Sequence, residues 1–240
     1  MSVLRDLGLC AIPEKKLMMA LTDTLQSCEV CSEKTKLHES CPDCRGINQV
    51  LQRYADCNIP VKYWDIEIDD QFLGDKILKE KFLEVTKNLQ ETYRNGTALC
   101  FAGGHGTGKT TVVCNILKKA LTKGFLKSIY VSLNDIIVAL VNNQDGRAAL
   151  RMEFLTADFL VIDEFDPRHM GSDNASDLFG RLLEDIIRIR SQNTLPTFMC
   201  TNSPNVIESF HGPLKQSISS LMNYFTMIPV LGKDLRKSGL

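Results

Sequence analysis

Residues Gly103, Gly104, His105, Gly106, Thr107, Gly108, Lys109 and Thr110 spell G-x-x-x-x-G-K-T, a pattern whose chemistry is phosphate binding. Its glycines let successive backbone N–H groups converge on one centre without Cβ clashes. A helix starting there adds its positive end, which favours an anion. Lys109 has the reach to meet the β- and γ-phosphates of a nucleoside triphosphate, and the Thr110 hydroxyl suits a Mg²⁺ ion. Thr111 carries the same backbone onward into the helix. The pattern has this meaning only between a strand and a helix. The apolar run 97–101 leads into it and the amphipathic segment 111–121 leaves it, so ATP with Mg²⁺ is the expected ligand.

A second constellation lies downstream. Phe159-Leu160-Val161-Ile162 is an apolar run ending in Asp163-Glu164. At the end of a strand Asp163 can hold the Mg²⁺, and Glu164 can polarise the water that attacks the γ-phosphate. Asn202 follows the run Thr197-Phe198-Met199-Cys200-Thr201 and can orient the same water if the two strands are neighbours. As an alternative it is a turn residue ahead of Ser203-Pro204.

The nine cysteines divide into two kinds. Cys28-x-x-Cys31 and Cys41-x-x-Cys44 are separated by nine residues, the spacing of a closed, structural Cys₄ zinc site. A redox pair is the competing reading, and His38 between the knuckles is either a substitute ligand or a surface residue. Cys100, Cys114 and Cys200 sit in apolar runs and read as core; Cys10 and Cys57 carry no argument. A helix over 13–26 and a second helical pattern through Ile47, Val50, Leu51 and Tyr54 flank the knuckles. Pro60 and the aromatics after it break that pattern, which places a boundary near residue 60. Residues 1–60 then form a helical zinc-binding module, suited to gripping a partner or to capping the fold, and 61–240 the nucleotide domain.

The elements that must position the chemistry alternate. A helix over 75–93 precedes the first strand. Strands follow at 128–132, 159–162, 197–201 and 224–230, with helices at 133–141 and 178–190. Alternation of this kind predicts an α/β fold, a parallel sheet flanked by helices with ligands at the carboxyl ends of the strands. The composition fits a globular protein, with 44% apolar and 24% charged residues. No apolar run approaches the roughly 18 residues of a membrane span. The amino terminus has no signal-peptide core and the cysteine count is odd, so a cytoplasmic protein is expected. The net charge of −1 gives no global pull toward nucleic acid, so DNA contact needs a local patch or an assembly.

Taken together, "IPVKYWD", "FAGGHGTGKTT", "FLVIDEFD", "LLEDIIRIRSQNTLPTFMCTN" and "GKDLR", from about Ile59 to Arg236, resemble the AAA+ ATPases of the bacterial helicase-loader group, the DnaC, DnaI and IstB-like proteins. The resemblance implies an ATPase that self-associates and delivers a hexameric replicative helicase onto single-stranded DNA in replication, encoded by a bacterium or a phage. It implies that the zinc module grips the helicase. It implies a domain without a full helical lid, since ten residues follow Val230. Arg236 would then serve as the arginine that senses the γ-phosphate; a basic tail with Lys233 and Lys237 is the plainer reading.

The chain also departs from the family. The helix 212–221 should carry an arginine that completes a neighbour's site, but it has none, and Ser220 falls where that arginine is expected. Lys215 is a poor substitute for a guanidinium fork. The loop 166–175 looks longer than usual. Lys118, Lys119, Lys123 and Lys127 read either as a solvated face or as a DNA patch. Two rival functions stay open: an IstB-like transposition regulator acting on duplex DNA, and an adaptor that binds ATP with little hydrolysis.

Overall fold

The computed structural model describes residues 42–142, 146–166 and 173–235. Helix α1 (Pro42–Asp56) and a 3₁₀ turn (Val61–Tyr63) come first, followed by α2 (Lys76–Lys87), α3 (Leu89–Arg94), β1 (Ala98–Gly103) and α4 (Lys109–Thr122). Then come β2 (Ile129–Ser132), α5 (Leu133–Asn142), α6 (Arg147–Thr156), β3 (Leu160–Asp163) and α7 (Asp173–Gln192). The chain finishes with β4 (Thr197–Thr201), a 3₁₀ turn (Ile207–Ser209), α8 (Gly212–Met222) and β5 (Thr226–Val230).

The five strands lie in the order β2-β3-β4-β1-β5, all parallel. Strand β4 is inserted between β1 and β3, with Ala102 opposite Thr201 and Ile162 opposite Met199. The three strand ends expected to carry chemistry are therefore adjacent and point the same way. Alternation along β1 splits the core in two. Leu99 and Phe101 join Val112, Ile116, Phe159 and Phe198 on one face. Cys100 joins Val131, Ile162, Phe179 and Ile187 on the other. Both faces are covered, which is why these strands read as continuous apolar runs.

The helix predicted over 75–93 is two helices. Asn88 breaks it with φ −140° and its side-chain oxygen accepts from the Glu91 N–H at 3.2 Å, so it caps α3 instead of continuing α2. Helix α6 was not anticipated; it is short and buries only Leu150 and Phe154. The seam expected near residue 60 runs through packed core. Leu51, Tyr54, Ala55, Cys57 and Ile59 cluster with Trp64, Leu78 and Val113, and the Trp64 indole N–H donates to the Ile59 carbonyl at 2.9 Å. Helix α1 is thus packed into the nucleotide domain.

Arg190, in the family-like stretch, is fully buried at the end of α7. Its guanidinium donates to the carbonyls of Phe154, Ala157 and Pro196 and to the Thr197 hydroxyl, tying α6 and α7 to the start of β4. Burial holds its pKa down to about 9. Arg188 instead shares Asp185 with Arg151 at the surface.

Candidate nucleotide-binding site

The loop between β1 and α4 is held in a form that glycine alone takes easily. Gly106 and Gly108 have φ of 69° and 96°. A Cβ at Gly106 would also overlap the Asp234 carboxylate, and the Leu235 N–H donates to the Gly106 carbonyl at 3.0 Å. The segment after β5 therefore passes directly beside the loop. It is fixed from below as well, since the Leu231 N–H donates to Asp75 Oδ2 at 2.7 Å. Lys109 is 5% exposed, and its ammonium donates to the carbonyls of Gly103 at 2.9 Å and Gly104 at 2.6 Å. A flexible cation resting on main-chain carbonyls can be transferred to phosphate oxygens at little loss.

Across the loop stand the ends of β3 and β4. Asp163 is buried, with Oδ1 accepting from the Glu164 N–H at 2.7 Å and Oδ2 from the Tyr130 hydroxyl at 2.7 Å. Glu164 is exposed and has φ 53°, left-handed backbone that a non-glycine residue adopts only under constraint. That twist turns the chain at the strand end, so adjacent acids occupy a buried and an exposed position. Asn202, half-buried, follows β4 directly. His105 to Thr111, Asp163, Glu164 and Asn202 line one cavity of about 440 Å³. Gly103 and Gly104 contribute through their carbonyls to Lys109. The predicted loop residues, both acids and the asparagine are thereby brought together.

The cavity has a wall that sequence reasoning missed, made by Lys62, Tyr63, Ile66 and Leu235. The Lys62 ammonium lies 4.7 Å from the centre of the Tyr63 ring. In the sequence the stretch "IPVKYWD" signals the family and a domain junction, and nothing in it marks a cavity wall. Its position is set by Lys118, which is 1% exposed and donates to the carbonyls of Trp64 at 3.0 Å and Ile66 at 2.6 Å and to Glu67 at 2.9 Å. This corrects the expectation of a four-lysine surface: Lys119, Lys123 and Lys127 are exposed, whereas Lys118 is a buried structural tie. Burial drives the Cys100 thiol up to about 12 and the Cys114 and Cys200 thiols well above the ordinary range, so all three are unreactive core.

Several expected residues fall elsewhere. Cys28, Cys31, Cys41 and Arg236 lie outside the described residues, and Cys44 is in the first turn of α1. Of the loop 166–175, residues 167–172 lie outside as well, while Asp166 is buried and α7 already begins at Asp173. Ser220 is half-buried on α8, and Lys215 is paired with Glu208 at 2.6 Å. Among the described residues no group of three or more His, Cys, Asp and Glu is arranged to hold a metal. Magnesium does not require one, because it uses one or two carboxylates and takes other ligands from phosphate. A single carboxylate beside a threonine hydroxyl and a glycine cradle fits that ion with a nucleotide.

Residues 99–214 match the family model described as "ATPase family associated with various cellular activities (AAA)". No curated protein matches the sequence. Among solved structures, DnaI is similar at TM-score 0.57 and 17% identity, over 73% of this chain and 93% of that one. The DnaC helicase loader gives 0.53 and 20%, over 70% and 98%. The replication initiator DnaA bound to AMPPCP and single-stranded DNA gives 0.54 and 15%, over 72% and 50%. The chain carries an AAA domain, with its P-loop and both acids, in the AAA+ fold that DnaI and the DnaC helicase loader share.

Proposed function

We propose that this protein is an ATP-dependent helicase loader of DNA replication. The carrying observation is the convergence of Lys109, Thr110, Asp163, Glu164 and Asn202 on one cavity within a fold like that of the DnaC helicase loader. In this reading the backbone of Gly103 to Thr111 cradles the phosphates, with Lys109 moving from the loop carbonyls onto them. The aromatic and apolar wall at Tyr63 and Ile66 receives the base. Thr110 and Asp163 hold Mg²⁺, which when bound neutralises charge on the phosphate oxygens. Glu164 accepts a proton from the attacking water, and Asn202 orients that water. Arg236 lies two residues past Asp234, which borders the loop, and is proposed to reach the γ-phosphate from there.

The module of residues 1–60 would bind zinc through Cys28, Cys31, Cys41 and Cys44 and hold a hexameric replicative helicase. Because α1 is packed into the ATPase core, that grip is mechanically continuous with the nucleotide site. The AAA+ domain self-associates on the ring and contacts single-stranded DNA as it enters, in the cytoplasm. ATP acts as a switch that sets affinity for these partners. Among the described residues no helix is long and apolar enough to cross a membrane.

Mass photometry of the full chain with the replicative helicase of its host, with and without ATP, tests this. A discrete helicase–loader complex that Cys41→Ser weakens, together with loss of zinc by elemental analysis, supports the reading. Assembly on duplex DNA without a helicase complex assigns the protein to IstB-like transposition regulators instead. One observation favours an adaptor that binds ATP and scarcely turns it over: α8 has no arginine, and its lysine is engaged by Glu208. Turnover near background with helicase and DNA present would establish that variant of the function.

A further inference from the structure

Tyr130 takes no part in the ATP chemistry described above, yet it touches the residue on which that chemistry turns. It is the second residue of β2, opposite Val161 of β3. It is 8% exposed and packs in the apolar cluster on the α4 face of the sheet. A phenylalanine would fill that place equally well, and the hydroxyl is the part that packing does not explain. It donates to Asp163 Oδ2 at 2.7 Å. The other carboxylate oxygen takes the Glu164 N–H, also at 2.7 Å. With one donor on each oxygen, the plane of the carboxylate is fixed and a lone pair on each side stays available.

Tyr130 is itself anchored at the sheet edge. Its N–H donates to the Cys57 carbonyl at 2.8 Å, and its carbonyl accepts from the Asn58 side-chain amide at 3.1 Å. Asn58 has φ 61°, a left-handed turn that asparagine tolerates. Both backbone groups of Tyr130 are thus held by the segment leading out of α1, while its neighbour Ile129 bonds across to the start of β3.

We infer that Tyr130 is a positioning residue for magnesium binding, acting through Asp163. Donors that orient metal-binding carboxylates set affinity for the ion without touching it. The inference rests on the reading of Asp163 as the protein's carboxylate ligand for Mg²⁺. It names one hydroxyl whose removal should weaken the ion's contribution while leaving the nucleotide cradle intact.

The experiment is a titration of the full-length protein with a fluorescent ATP analogue, in EDTA and across a series of Mg²⁺ concentrations. Wild type, Tyr130→Phe, Asp163→Asn and the double variant are compared. For Tyr130→Phe, affinity in EDTA stays within about two-fold of wild type while half-saturating Mg²⁺ rises about ten-fold, the usual scale for such donors. In the Asp163→Asn background the same change has no further effect on the Mg²⁺ dependence, because its route is gone. An unchanged Mg²⁺ dependence in Tyr130→Phe overturns the inference, and so does an equal loss of affinity with and without Mg²⁺, which marks a packing role only. If wild type and Asp163→Asn respond to Mg²⁺ alike, the assignment of Asp163 itself fails and takes the inference with it.

Discussion

Helix α4 carries two buried lysines nine residues apart, and they do opposite things. Lys109 at its start rests its ammonium on loop carbonyls beside an open cavity. Lys118 toward its end is locked among two carbonyls and the Glu67 carboxylate and does not itself line that cavity. Both are almost inaccessible, so burial does not separate a functional cation from a structural one. What separates them is what the partners become when the lysine leaves. The Lys109 partners border a space that an anion can enter. Among the Lys118 partners, the carbonyl of buried Trp64 would lose its donor to a site no anion enters, while half-exposed Glu67 would keep Lys119. One helix therefore sets a lysine against the cavity with its first turn and anchors the wall of the same cavity with its third.

This contrast can be broken most sharply at Lys109. Lys109→Ala should lower ATP affinity by about three orders of magnitude, about 4 kcal/mol, while the melting temperature without nucleotide stays near wild type. Isothermal titration together with a thermal melt reads both. Lys118→Met should give the reverse. Removing the donor from two carbonyls and from a half-exposed carboxylate costs about 2 kcal/mol of stability, a fall of roughly 6 °C in Tm for a domain of this size. A large loss of ATP affinity at unchanged Tm would erase the distinction between the two lysines.

Smaller effects sharpen it. The left-handed Glu164 stores strain at the functional end of the sheet, so Glu164→Gly should raise stability by about 0.5 kcal/mol while abolishing hydrolysis. A chemical denaturation curve and a phosphate-release assay would show the two moving in opposite directions. At the structural end, burial pushes the Glu67 carboxyl up, but Lys118 and Lys119 outweigh it and hold the group below its ordinary 4.5. A depressed acid contributes stability above its unfolded pKa and loses that contribution as pH falls through the folded one. The Tm gap between wild type and Glu67→Gln should therefore be open at pH 7 and close as pH drops below about 4. The gap is small, since Glu67 is half exposed.

The local signals carried far. A phosphate loop between an apolar run and an amphipathic one, and an apolar run ending in two acids, need only neighbouring residues to be recognised. Once alternation implied a parallel sheet, the meeting of Asp163, Glu164 and Asn202 required only that β3 and β4 be adjacent. What stayed hidden depends on contacts between distant segments. Lys118 looks like its neighbours until residues 64–67 are laid over it, 51 to 54 positions away in the chain. Tyr130 reads as one more apolar strand residue, because alternation says which face it takes but not whose carboxylate waits there. Asn88 was legible in principle, as a capping residue inside a long helical pattern, and the pattern outweighed it. The packing around residue 60 was hidden for a related reason: Pro60 does break a helix, but residues 51–59 share a core cluster with Trp64, Leu78 and Val113, and a break in secondary structure does not reveal that.

The turn at Cys57 and Asn58 has a further consequence for life at high concentration. A parallel sheet ends in two strands whose outer backbone groups can recruit a strand from another chain, the first step of edge-to-edge aggregation. On the β2 side that edge is occupied, since residues 57 and 58 already satisfy both backbone groups of Tyr130. On the β5 side the sequence places Pro229, which has no N–H to offer an incoming strand. The two margins are blunted by different means. Both edges of the sheet therefore carry a local obstacle to edge-to-edge growth, so any contact between copies is steered toward helices and loops.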